Sequence, residues 1–150
     1  MAQYPNPLLP LDRIPQVAIE SMNRTHLEEV ERVNRLAELV ATAMQGEGDE
    51  EALSEQLAHW IEHTKEHFAR EDALMEQYGF PAYPVHNGEH QRVLGLLEEL
   101  QRGWQEEGSL EPLADFLFQQ WLGWFDNHVQ TMDRMTAAFL MQASGGAVDL

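Results

Sequence analysis

Five histidines and two carboxylates stand out for their spacing. His67 and Glu71 are four residues apart in "HFAREDALM", and His86 and His90 are four apart in "HNGEH". On a helix, residues four apart share a face. His128 precedes Asp133 by five in "HVQTMD", and His26 closes "NRTH". Imidazole is a ligand for zinc, copper, nickel and iron, and carboxylate suits the harder iron and manganese. The chain has no cysteine. Disulfides, iron–sulfur clusters, thiolate zinc sites and cysteine nucleophiles are therefore excluded, and any metal must be held by nitrogen and oxygen.

These side chains belong to four apolar-periodic stretches. The first runs from about Val17 to Gln45, with Leu27, Val30, Val33, Leu36, Leu39 and Val40 at steps of three and four. "GEGD" at 46–49 breaks it. The second runs from about Asp49 to Tyr78 and is ended by "GFPAYP" at 79–84. The third runs from about Val85 to Glu107 and the fourth from about Leu110 to Gln142, with Ser109 expected to cap it and Pro112 tolerated in its first turn. No strand-period alternation of any length occurs. Four long helices joined by short connections predict an all-α, up-down-up-down four-helix bundle over residues 17–143. Residues 1–16, rich in proline, are expected to form an extended arm whose Leu8, Leu9, Leu11 and Ile14 pack on the body. Residues 144–150 are expected to be a flexible tail.

The bundle sets the heights of the histidines. His26 lies 21 residues before a first loop centred near residue 47, and His67 lies 20 after it. Around a third loop near 108, His86 and His90 lie 22 and 18 before, and His128 lies 20 after. In an antiparallel bundle equal sequence distance from a loop means equal height, here roughly 30 Å from those loops. Five imidazoles and two carboxylates thus meet in one layer. Burying so many polar groups without partners would cost many kcal/mol, which a metal removes. Seven ligands exceed the needs of one ion, so two ions are expected, with one position left open for a small ligand. His128 and Asp133, about 140° apart on a regular helix, are too divergent to chelate one ion, so Asp133 is expected to reach towards a second.

Composition narrows the partners. Nine Lys and Arg stand against 26 Asp and Glu, a net charge of −17. Phosphate binding needs a positive surface, so nucleic acid is excluded as a partner, and so is docking on anionic lipid. No basic segment precedes an apolar run, and the longest wholly apolar run, "AAFLM" at 137–141, is too short to span a bilayer. A soluble, cytoplasmic chain is expected.

Taken together, "NRTH", "HFAREDALM", "HNGEH" and "WFDNHVQTMD", in this order on four helices, resemble the bacterial hemerythrins over about residues 20–135. The resemblance implies two non-haem iron ions with an oxo or hydroxo bridge. It assigns His86, His90 and His128 to the saturated iron, His26 and His67 to the iron with the vacant position, and Glu71 and Asp133 to both as bridges. It implies reversible binding of dioxygen, or another small diatomic or anionic ligand, at the open iron, with dioxygen held as a hydroperoxide. The role is that of carrier, store or sensor, for a protein client that the sequence does not name. The alternative is a di-iron enzyme handling dioxygen, peroxide or nitric oxide on the same centre. A structural or interaction module that has kept its metal incidentally ranks below both.

Departures from the family pattern are local. Asn23 stands where relatives often have Asp, and Thr25 where they often have Gln. Asn23 shares the face of His26 and is expected to support that imidazole from behind. The arm carries Tyr4 where many members have a tryptophan. Phe125 and Trp124, three and four residues before His128, are expected to line the ligand pocket. Met22, Met75, Met132 and Met135 are expected in the core. Asp72, beside Glu71, is read as pointing elsewhere. His59 and His63 continue the four-residue stripe below His67. One reading makes them a proton path or an access-channel lining; the favoured one is that the stripe turns about 40° per step, so that His59 reaches solvent and His63 lies outside the centre. A register that pairs His63 with His67 as ligands is the alternative.

Overall fold

The computed structural model describes residues 4–148. Four helices follow one another through short connections: α1 (Glu20–Met44), α2 (Glu50–Tyr78), α3 (Tyr83–Glu107) and α4 (residues 111–143). Among the described residues there is no strand, and no helix is long and apolar enough to cross a membrane. The fold is the four-helix bundle that the periodicity predicts.

The ends of the helices follow local chemistry. Asp49 caps α2 by accepting from the Ala52 amide at 3.1 Å. Gly79 and Gly108 end α2 and α3 in the left-handed region, at φ 68° and 65°, where a side chain would be strained. Ser109 is not the cap of α4. Leu110 takes that position without a side-chain bond, and the Ser109 hydroxyl turns back to Glu107 Oε2 at 3.3 Å.

The helix α4 is not regular. Residues Phe116–Trp121 and Val129–Asp133 are π-helical, within a backbone that stays right-handed throughout. π turns are rare and mark sites where a side chain is re-aimed.

The core is divided. A large apolar cluster fills the end near the first and third loops, with Val33, Leu36, Leu57, Trp60, Leu97 and Leu117 at its centre. A small cluster of Ile19, Met22, Ala137, Leu140 and Val148 closes the other end. Val148, in the expected tail, is buried there, and the amides of Ala147 and Val148 donate to Ser144 Oγ. Residues 149–150 of that tail and 1–3 of the arm lie outside the described residues.

The arm packs through Leu8, Leu9 and Ile14, but Leu11 is exposed on a short 3-10 turn. Asn34 of α1 grips the backbone of Leu9 on both sides, at 2.9 and 2.8 Å. Tyr4 packs on Phe118, at a ring distance of 4.4 Å. Met22 and Met75 are fully buried. Met135 is not a core residue: it is 63% exposed and borders an apolar surface groove with Phe80 and Val85.

Candidate metal centre

Between the two apolar clusters the bundle is crossed by a polar layer. His26 comes from α1, His67 and Glu71 from α2, His86 and His90 from α3, and His128 and Asp133 from α4. All seven are buried. Their ligand atoms fall into two groups, His86–His90–His128–Asp133 and His26–His67–Glu71, and within each group they lie within 4.8 Å of one another.

The carboxylates straddle the two groups. Glu71 Oε2 lies 2.6 Å from His67 Nε2, while its Oε1 lies 3.4 Å from His90 Nε2 and 3.8 Å from His86 Nε2. Asp133 Oδ2 lies 3.0 Å from His26 Nε2, and its Oδ1 lies 3.2 and 3.3 Å from His86 and His128 Nε2. Each acid therefore turns one oxygen to each side.

His67 Nε2 pairs with Glu71 Oε2, and His86 Nε2 meets His128 Nε2 at 3.3 Å, but several of the converging atoms stay unsatisfied. His26 Nε2, His90 Nε2, Glu71 Oε1 and Asp133 Oδ1 are buried with no hydrogen-bond partner among the described residues. Burying such groups unpaired is costly. A cation at each focus would satisfy them, and the nitrogen–oxygen donor set suits iron. The residues present fit two metal ions.

Electrostatics agree. Burial and Asp133 push Glu71 up, yet His67 and His90 outweigh them and hold it at about 2. Burial likewise raises Asp133, while His128, His26 and His86 hold it well below the carboxylate range. Burial disfavours protonation of His26, but Asp133, Glu71 and Glu29 raise it. Burial also opposes protonation of His90, but Asp72 and Glu71 lift it to about 9. In the metal-free protein the acids favour the protonated forms of His26 and His90. A metal bound there would displace those protons.

The π turn at Val129–Asp133 explains how His128 and Asp133 meet. On a regular helix they diverge, but i→i+5 hydrogen bonding stacks residues five apart. The expected divergence is thus removed by the backbone, and Asp133 faces both groups.

The three-histidine side is held from outside. The His90 Nδ1–H donates to Asp72 Oδ1 at 2.9 Å, and Asn87 Nδ2 donates to the other Asp72 oxygen at 3.1 Å. The His86 Nδ1–H donates to Thr136 Oγ1 at 2.8 Å, and that hydroxyl points to Met75 Sδ at 3.7 Å. Such bonds fix the tautomer and leave Nε2 free to bind a metal. Asp72 does turn away from Glu71, but towards a histidine of the next helix. Phe68 stacks on His90, with ring centroids 3.8 Å apart, and Trp124 stacks on His128 at 4.7 Å.

The two expected pocket residues separate. Phe125 is buried with its ring edge-on to His26 at 5.9 Å, on the two-histidine side. Trp124 flanks the three-histidine side and donates its indole N–H to Glu89 at 3.0 Å. Asn23 does not support His26. Its Nδ2 donates to Val17 O at 3.0 Å and Glu20 Oε2 at 3.3 Å, and its Oδ1 accepts from the Val17 amide at 2.8 Å. With the amide committed to the end of the arm, His26 Nδ1 has no hydrogen-bond partner among the described residues.

Three residues around the centre escape sequence reasoning: Asp72, Thr136 and Glu29, a buried acid one turn beyond His26. Only Glu29 carried a signal, since it falls on the inward face of α1 at i+3 from His26. His59 is exposed, as expected, and His63 joins Glu29 instead of the centre.

Comparison with known proteins agrees with this geometry. A family model described as the hemerythrin HHE cation binding domain matches residues 17–140. A bacteriohemerythrin of Aquifex aeolicus is 26% identical over 126 residues, covering 84% of this chain and 92% of the relative. One of Ralstonia nicotianae is 40% identical over 83 residues, 55% of this chain and 59% of that protein. One of Stenotrophomonas maltophilia is 26% identical over 121 residues, 81% and 74% of the two chains. No solved structure matches. With its polar layer, its paired clusters of ligands and a family match that spans most of its length, the chain belongs to the hemerythrin HHE family.

Proposed function

We propose that this protein binds dioxygen reversibly at a non-haem di-iron centre, as a carrier, store or sensor. His86, His90 and His128 would hold one iron and His26 and His67 the other, with Glu71 and Asp133 shared. The single observation that carries this reading is the division of each carboxylate, one oxygen turned to each group. A bound iron pair supplies the reversible redox change that dioxygen binding needs. The relatives' name, bacteriohemerythrin, supports the same assignment.

The chain's own residues do the rest. Three imidazoles and two shared carboxylates would give one ion five protein donors, whereas two imidazoles and the same carboxylates would give the other four, one fewer, which is where a small ligand would bind. Phe125, edge-on to His26, walls that side with apolar surface and excludes water. Asp72 and Thr136 hold the three-histidine side rigid.

The test is optical. Iron(II) is loaded anaerobically, dioxygen is admitted, and the visible charge-transfer band is followed through cycles of deoxygenation. A band that comes and goes supports the reading. Prompt irreversible oxidation with peroxide turnover would assign the chain to the di-iron enzymes instead. His67→Ala should hold much less than two irons per chain, and full iron retention would sink the ligand assignment.

A further inference from the structure

Glu29 is a buried carboxylate that the proposed centre does not use. It lies one turn beyond His26 on α1 and is 5% exposed. Both its oxygens are engaged from α2. Oε1 accepts from Trp60 Nε1 at 2.8 Å and from Thr64 Oγ1 at 2.6 Å, and Oε2 accepts from His63 Nδ1 at 2.5 Å. One turn of α1 is thereby locked to one turn of α2, beside His26 on the first helix and His67 on the second.

The two halves of the layer are held in different ways. On the three-histidine side, His90 and His86 are tethered directly through Nδ1 to Asp72 and Thr136. On the two-histidine side, the Nδ1 atoms of both His26 and His67 are buried without a hydrogen-bond partner among the described residues. A metal-binding imidazole is ordinarily aimed through its other nitrogen. Here that aim is missing, so the His26–His67 ring distance of 5.5 Å depends on how α1 and α2 stand against each other. The buried hydrogen bonds that fix those helices at this level converge on Glu29, and the exposed Glu28 adds a longer contact to His63 Nε2 at 3.3 Å.

We propose that Glu29 is a positioning residue for the two-histidine half: by bracing α1 against α2 it holds His26, His67 and Glu71 at metal-binding distance. This rests on the two-metal reading above. An apolar side chain at position 29 would leave the Trp60 indole N–H and His63 Nδ1 unpaired, with the Thr64 hydroxyl falling back on Trp60 O and His63 Nε2 on Glu28 alone, and would free the register of the two helices to shift.

Cobalt(II) binding to the metal-free protein, followed by visible absorption and metal analysis, tests it. The full chain should take up two ions. Glu29→Ala should keep one ion at wild-type affinity and bind the second about 10–100-fold more weakly, the usual effect of removing an outer support. Glu29→Gln should restore the second ion, because its carbonyl accepts from Trp60 and Thr64 and its amide faces the His63 nitrogen. Asp72→Ala should show the reverse pattern and weaken the three-histidine ion. If Glu29→Ala does not fold, Thr64→Val, which removes one donor, carries the same comparison with a smaller effect. Equal weakening of both ions, or of neither, overturns the proposal. A wild-type chain that takes up fewer than two ions overturns the two-metal reading, and the proposal falls with it.

Discussion

Asp133 stands five residues beyond His128, and its Oδ1 nevertheless lies 3.3 Å from His128 Nε2. The π turn between them makes that contact, and it leaves Asp133 Oδ2 facing His26 on α1. One side chain therefore joins three imidazoles from three helices. Asp133→Ala should abolish tight binding at both positions, with iron well below one per chain by metal analysis. A variant that still holds two irons would show that Asp133 is not shared.

Asp72 supports His90 from outside the centre. Asp72→Ala should leave the helical content unchanged and weaken metal binding by about 10–100-fold in chelator competition. Asp72→Asn keeps an acceptor for His90 Nδ1 and should lose less. Equal loss in the two variants would mean that charge, and not orientation, is what Asp72 contributes.

Metal-free stability should depend on pH in a defined window. His90 is raised from 6.5 to about 9. Its contribution is fully present below 6.5 and is lost as pH rises through about 9. Glu71 is lowered from 4.5 to about 2, so its contribution is present above 4.5 and is lost as pH falls through about 2. The metal-free Tm should peak between about pH 4.5 and 6.5 and fall on the alkaline side. With zinc bound, the ion replaces the protons and the alkaline fall should disappear. Parallel Tm profiles for the two forms would refute this.

Metal removal itself should lower Tm. An ion present at 100 times its Kd stabilises by about 2.7 kcal/mol, which for a chain of this size is roughly 5–10 °C. Calorimetry before and after chelation measures the difference directly.

Phe125 walls the two-histidine side and stacks on Trp121 at 4.8 Å. Phe125→Ala should cost about 3–5 kcal/mol of stability and admit water beside His26. Stopped-flow measurement should then show faster loss of dioxygen and faster irreversible oxidation. Unchanged rates would place the ligand pocket elsewhere.

Much of this was legible in the chain. Glycine and proline at 46–49, 79–84 and 108 mark the loops, and residue counts from them put five histidines at one height. What could not be read depends on neighbours brought close by folding. The π turn has no local sequence signature, so His128 and Asp133 looked divergent. Asp72 finds its partner on α3, which spacing along α2 cannot reveal. Asn23 has the right face for His26, but the arm folds back and takes its amide first. Met135 and Leu11 fit apolar patterns and yet remain exposed, because periodicity says nothing about where the bundle runs out of partners.

The polar layer also separates two apolar clusters of unequal size. In the metal-free protein the small one, built on Ile19, Met22, Ala137, Leu140 and Val148, meets the rest of the bundle across a layer with several unpaired buried polar atoms, with Val17 packed against both clusters. This smaller cluster should open first, so backbone amides near the 79–84 connection should exchange with deuterium well before those around Leu36 and Leu57. Cations filling the layer would tie the two units together, and the molecule should then unfold in one step instead of two.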